Sequence, residues 1–243
     1  MKKLIIMLLL VAVGSVLTAW QRHTDHTRHD KISGYINKYI DSLLLWKAEI
    51  SELAVDGDAG VLEDKFAEGR IIYKHFEWLA EYYFPTSANQ INGAPLLEAE
   101  ASHNLEPVYP RGFQVMEEYI YGELNKASRD QIISEASNIE QAARKIKRQM
   151  KDIEWSDSST LDALKLNIYA MMIKSLSGFD APSALTGIEE ADAVLESVQF
   201  VVAQMPGTEV LSATILDARM FIRKKLCRFC IVQQSSIFKG LLQ

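Results

Sequence analysis

Apolar side chains recur every three to four positions along most of this 243-residue chain, the period of a helix that buries one face. Ile32, Tyr35, Ile36, Tyr39, Ile40, Leu43 and Leu44 predict a first helix over 31–54, broken by Val55-Asp56-Gly57-Asp58. Leu62, Phe66, Ile72, Phe76, Leu79 and Tyr83 predict a second over 61–83, stopped by Pro85. Residues 85–110, with Pro85, Asn92-Gly93, Pro95, Pro107 and Pro110, read as a long loop packed over the core, with one helical turn near 98–106. A third helix follows Pro110 and runs to about Asn125. A fourth starts at the capping box Ser128-x-x-Gln131 and carries the stripe Ile132, Ala136, Ile139, Ala143, Ile146, Met150 and Ile153. The fifth spans 159–177 and ends at Gly178. The sixth opens on a second capping box, Thr186-x-x-Glu189, and ends near Pro206-Gly207; the seventh covers 208–226. No alternating pattern longer than four residues survives, so the predicted fold is all-α. It is an antiparallel bundle of about seven helices with mostly short connections, and the pattern leaves open whether its two halves share one core.

The N-terminus breaks this pattern. Met1-Lys2-Lys3 precedes a short apolar run, Leu4 to Ala19, and the polar stretch QRHTDHTRHD follows. A spanning helix needs about 20 apolar residues. A signal peptide over 1–19 is therefore expected, then a disordered polar lead over 20–30, the helical domain over 31–226 and an atypical tail over 227–243. The expected address is the periplasm or another exported site, with membrane contact only through an uncleaved signal segment. Composition fits a globular body, with 48% hydrophobic and 24% charged residues. The net charge is −6, and cleavage after Ala19 would remove Lys2 and Lys3 and no acid. An acidic chain repels phosphate backbones, which argues against nucleic acid, and no Gly-rich phosphate loop points to a nucleotide.

Gln114 and Glu117, in Gly112-Phe113-Gln114-Val115-Met116-Glu117, stand three apart and share a helix face. A His and a Glu so spaced can ligate one metal, but an amide in the first position is a poor ligand. The plainer reading is two polar residues satisfying backbone groups of the neighbouring loop. Cys227-Arg228-Phe229-Cys230 has CxxC spacing, but Ile231 stands where haem attachment needs His. The pair can close a small disulfide in an oxidising compartment or lie idle in a frayed tail. His23, His26 and His29 sit in the polar lead, while His75 and His103 have no evident partner in sequence. Tyr73, Phe76, Trp78, Tyr82, Tyr83 and Phe84 read as core aromatics rather than a ligand cleft. Arg219, Arg223, Lys224, Lys225 and Arg228 read as the basic C-terminal bias of the seventh helix. No nucleophile–base pair and no hydrolase motif is present.

GFQVMEE resembles the GxHxxE signature of imelysin-like proteins, with Gln114 replacing His. In order along the chain, EWLAEYYFPTSANQINGAPL, LEPVYPRGFQVMEEYIY, SGFDAPSAL and LDARMFIRKKL resemble the helical region found ahead of di-haem cytochrome c peroxidase domains in some Bacteroidetes-type bacteria. The resemblance covers about residues 31–226. It implies an exported imelysin-like fold, a link to a periplasmic haem peroxidase system and a redox or haem domain as partner. Haem belongs to the full-length family and would need two CxxCH sites, so this chain is expected to be a non-catalytic, truncated form with no cofactor of its own. The alternative is an imelysin-like metal- or iron-related periplasmic binding or peptidase-like protein that uses Glu117 with ligands from elsewhere.

Overall fold

The computed structural model describes residues 2–94, 96–97 and 107–240, with side chains for 27–94 and 109–224. The chain is predominantly helical. Helix α1 (Lys2–Asp56) is followed by α2 (Ala59–Lys74), α3 (Glu77–Tyr83) and α4 (Pro85–Asn92). Two short extended pieces, β1 (Leu96–Leu97) and β2 (Pro107–Val108), pair antiparallel, and β3 (Arg111–Gly112) leads into α5 (Phe113–Ile120). Then come α6 (Lys126–Gln149), α7 (Asp157–Ala170) with a π turn over Met171–Ser175, α8 (Gly187–Val202) and α9 (Glu209–Gly240).

The stripes predicted on the first and fourth helices are the core. Ile32, Ile36, Ile40, Leu43, Trp46, Ile50 and Ala54 on α1 are buried, and so are Ile132, Ala136, Ile139, Ala143 and Ile146 on α6. α1 packs along both α6 and α2, and α8 packs on α2 and α9, so one continuous apolar cluster joins both halves of the chain. The aromatics Tyr73, Phe76 and Trp78 belong to it. Close approach of α1 to α2 requires Gly69, because a Cβ there would lie 2.2 Å from the Trp46 ring.

Several boundaries differ from the sequence reading. The second helix is two: the backbone turns at His75 and Phe76, where N–H groups bond back to the Ile72 and Tyr73 carbonyls, and α3 starts at Glu77. Part of the expected 85–110 loop is α4, because Pro85 occupies a first-turn position where its missing N–H is harmless. The cap of α6 is Asn125, whose side chain accepts from Ser128 N–H while the Ser128 hydroxyl accepts from Asn125 N–H. The box therefore lies three residues before the predicted one. Thr186 caps α8 without a side-chain hydrogen bond to the backbone; its hydroxyl donates to Glu190 instead.

The first helix does not begin at residue 31. Residues 27–30 of the expected disordered lead are helical, with Arg28 paired to Asp157 and His29 stacked on Trp155. The side chains of the apolar run 4–19 and of His23 and His26 lie outside the described residues, as does His103. Among the described residues no helix is long and apolar enough to cross a membrane. The last helix continues past 226 to Gly240; Cys227 and Cys230 lie on its backbone, and their side chains are outside the described residues.

Candidate functional site

Arg70 and Lys74 stand one turn apart on the buried face of α2, where an apolar stripe alone would be expected. Each is 1% exposed. Arg70 Nε donates to Glu190 Oε1 at 2.6 Å, and its Nη2 to Glu190 Oε2 at 3.1 Å and Asp180 Oδ2 at 3.0 Å. The Nζ of Lys74 donates to the same Asp180 oxygen at 2.7 Å and to Glu77 Oε1 at 2.6 Å. The break between α2 and α3 brings Glu77 to this position at the start of α3. Its second oxygen accepts from Asn167 Nδ2 of α7 at 3.2 Å.

The Gly112–Glu117 motif closes the other side. Gly112 has φ +60°, and a Cβ there would meet the Ile91 carbonyl oxygen at 2.0 Å. That left-handed backbone lets residues 111–112 bridge antiparallel to Asn92 and Gly93 and sets α5 against α4. Gln114 Nε2 then reaches the Asp180 carbonyl at 2.8 Å, Asn92 Oδ1 at 3.1 Å and Asp180 Oδ1 at 3.2 Å. Asn92 Nδ2 donates to Asp180 Oδ1 at 3.0 Å. One turn on, Glu117 Oε1 accepts the backbone N–H groups of Ser183 and Ala184, both at 2.8 Å. Gln114 and Glu117 do satisfy loop backbone groups, but those of the 178–186 turn rather than the segment beside Pro110.

Two cations thus face three carboxylates with almost no water. Desolvation alone would neutralise such groups, so the pairs hold one another charged. Burial pushes the Asp180 carboxyl up, but Lys74 and Arg70 outweigh it and hold it well below the usual carboxylate range. Glu190 is likewise held low against burial by Lys74 and Arg70. Glu77 is the odd charge: burial raises it to about 7 despite the attraction of Lys74, with Glu81 and Asp180 adding repulsion.

The network opens on one side. A cleft of about 590 Å³ has Asn92 and Asp180 in its lining, the Lys174–Glu81 ion pair (2.9 Å) beside them, and Ile173 and Phe179 as apolar walls. Ile173 is 71% and Phe179 54% exposed. Lys174 lies within the π turn, and Gly178, with φ +77°, directly precedes Phe179 and Asp180. π turns concentrate at functional sites because the extra residue re-aims side chains.

Of the residues singled out from sequence, Gly112, Gln114 and Glu117 are at this site. His75 is elsewhere: buried, stacked on Tyr39 at 3.7 Å and hydrogen-bonded through Nδ1 to the Tyr35 hydroxyl at 2.8 Å. Burial, with help from Lys38 and Arg219, lowers it to about 4. The basic group on the last helix is not a C-terminal bias, since α9 runs on to Gly240. Arg219 and Arg223 instead pair with Asp192 and Glu196 and fasten α9 to α8. Among the described residues no three His, Cys, Asp or Glu side chains are grouped to hold a metal. Sequence reasoning missed Arg70, Lys74, Glu77, Asn92, Asp180 and Glu190; the signal available for two of them was Arg70 and Lys74 standing on the same helix face as the apolar Leu62, Phe66 and Tyr73.

No protein-family model matches the chain, and no curated relative matches it.

Proposed function

We propose that this chain is an exported, non-catalytic helical module of the imelysin-like kind, which presents the Asp180 cleft to a redox or haem domain of a cytochrome c peroxidase system. One observation carries the reading. Three of the stretches that resemble the peroxidase-associated region, far apart in sequence, supply Asn92, Gln114 and Asp180, and these three hydrogen-bond to one another. Their meeting gives the three stretches one place in the fold, as a single presented surface requires.

The chemistry favours presentation over catalysis. Gln114 directs its amide nitrogen at Asp180 and Asn92, and one oxygen of Glu117 holds two backbone N–H groups. Both side chains therefore shape the turn that carries Phe179 and Asp180. The exposed Ile173 and Phe179 supply the apolar contact, and the Lys174–Glu81 pair a polar rim, the usual division at a protein interface.

Calorimetric titration with a purified bacterial di-haem cytochrome c peroxidase domain tests this. Saturable 1:1 binding is expected, lost in an Ile173→Asp, Phe179→Asp double variant that melts like the parent. Absence of binding by the parent chain contradicts the proposal. So does a stoichiometric Soret band in protein produced beside a cytochrome c maturation system. One equivalent of bound metal, lost in Glu117→Gln, would instead establish the metal-related imelysin-like alternative.

A further inference from the structure

Helices α4 and α6 and the extended residues 109–111 enclose a pocket of about 330 Å³ that shares no residue with the Asp180 cleft. Tyr109, Pro110 and Arg111 line it from the extended side, Gln90 from α4, and Glu135, Asn138 and Gln141 from α6. Its lining is more polar than apolar, the reverse of the Asp180 cleft. The frame is fixed: Arg111 bridges antiparallel to Gly93, the Gly112 N–H donates to Glu135 Oε2 at 2.9 Å, and α4 and β3 both pack on α6.

Little of this polarity is used within the chain. Among the described residues, the side chains of Gln90, Tyr109, Arg111 and Gln141 make no hydrogen bond or ion pair. Asn138 gives one long bond, from Nδ2 to Glu135 Oε1 at 3.3 Å. Tyr109 is 72% exposed, on a segment anchored by the pairing of β2 with β1 and by the Arg111 bridge. An aromatic ring on an anchored segment loses little freedom when a ligand covers it. One cation, Arg111, and one carboxylate, Glu135, leave the lining without net charge.

We propose that this pocket binds a neutral sugar, one pyranose ring in size. Each sugar hydroxyl both donates and accepts, as the carboxamides of Gln90, Asn138 and Gln141 do, so one polyol ligand answers the amides, the guanidinium and the carboxylate together. The apolar C–H face of the ring fits against Tyr109 and Pro110. A hydrocarbon ligand would leave the polar lining dry and unpaired. An anion would meet Glu135, and a cation Arg111, as a like charge.

Saturation-transfer NMR tests the proposal, with the methyl glycosides of glucose, galactose and mannose as probes and cyclohexanol as a ring without the polyol. Saturable binding of at least one glycoside is expected, weakened about tenfold in Tyr109→Ala and in Gln141→Ala and unchanged in the Ile173→Asp, Phe179→Asp double variant of the other cleft. Thermal melts establish that the variants fold; if Tyr109→Ala does not, Gln141→Ala alone decides. The proposal is overturned if no glycoside gives a saturable signal, if cyclohexanol binds as well, if the folded pocket variants bind like the parent, or if the double variant abolishes the signal.

Discussion

Glu117, Asp180, Glu77 and His75 are the most informative single side chains. Replacing Glu117 by Ala removes the acceptor of the Ser183 and Ala184 N–H groups in a part-exposed turn, and should cost about 1–3 kcal/mol in urea unfolding. Asp180→Asn removes the carboxylate shared by Arg70 and Lys74, leaving Arg70 to Glu190 and Lys74 to Glu77, and should cost about 1.5–3 kcal/mol for the lost charged hydrogen bonds. The pH response has two opposed parts. Glu77, raised from 4.5 to about 7, gives stability that is full below 4.5 and lost as pH rises toward 7. His75, lowered from 6.5 to about 4, gives stability that is full above 6.5 and lost as pH falls toward 4. Between these limits they offset each other in the parent chain. Melting curves across this range should therefore separate the variants: Glu77→Gln gains stability with rising pH, and His75→Gln loses it. Parallel profiles for the two would mean that burial does not shift these groups as described.

At the scale of elements, legibility followed the strength of the local signal. The stripes of α1 and α6 were plain because isoleucine and alanine recur without interruption on one face. The break between α2 and α3 was not, since Lys74-His75-Phe76-Glu77 contains neither Gly nor Pro; the turn sets Glu77 beside Lys74, which also pairs with the distant Asp180. The α6 cap was misplaced because Ser128 and Gln131 match the capping-box pattern as well as Asn125 and Ser128 do. Asn125→Ala should thus cost about 1 kcal/mol and Gln131→Ala almost nothing, read from chemical denaturation of each variant. Of the site, the motif Gly112–Glu117 was visible and its partners were not. Contacts such as Arg70–Glu190, 120 residues apart, leave no trace in periodicity.

For the whole molecule, one apolar cluster spans both halves, and the ionic network sits where α2, α3, α4, α5, α8 and the 178–186 turn come together. Buried pairs seldom outperform apolar packing, so the apolar cluster rather than this network carries most of the stability. The proposed function rests on the network, and in particular on three distant segments meeting at Asp180. A double-mutant cycle between Asn92→Leu and Gln114→Leu, followed by urea unfolding, measures that meeting most directly. The contacts at Asp180 predict a coupling of about 1 kcal/mol or more between the two positions. Additivity within about 0.3 kcal/mol would contradict it.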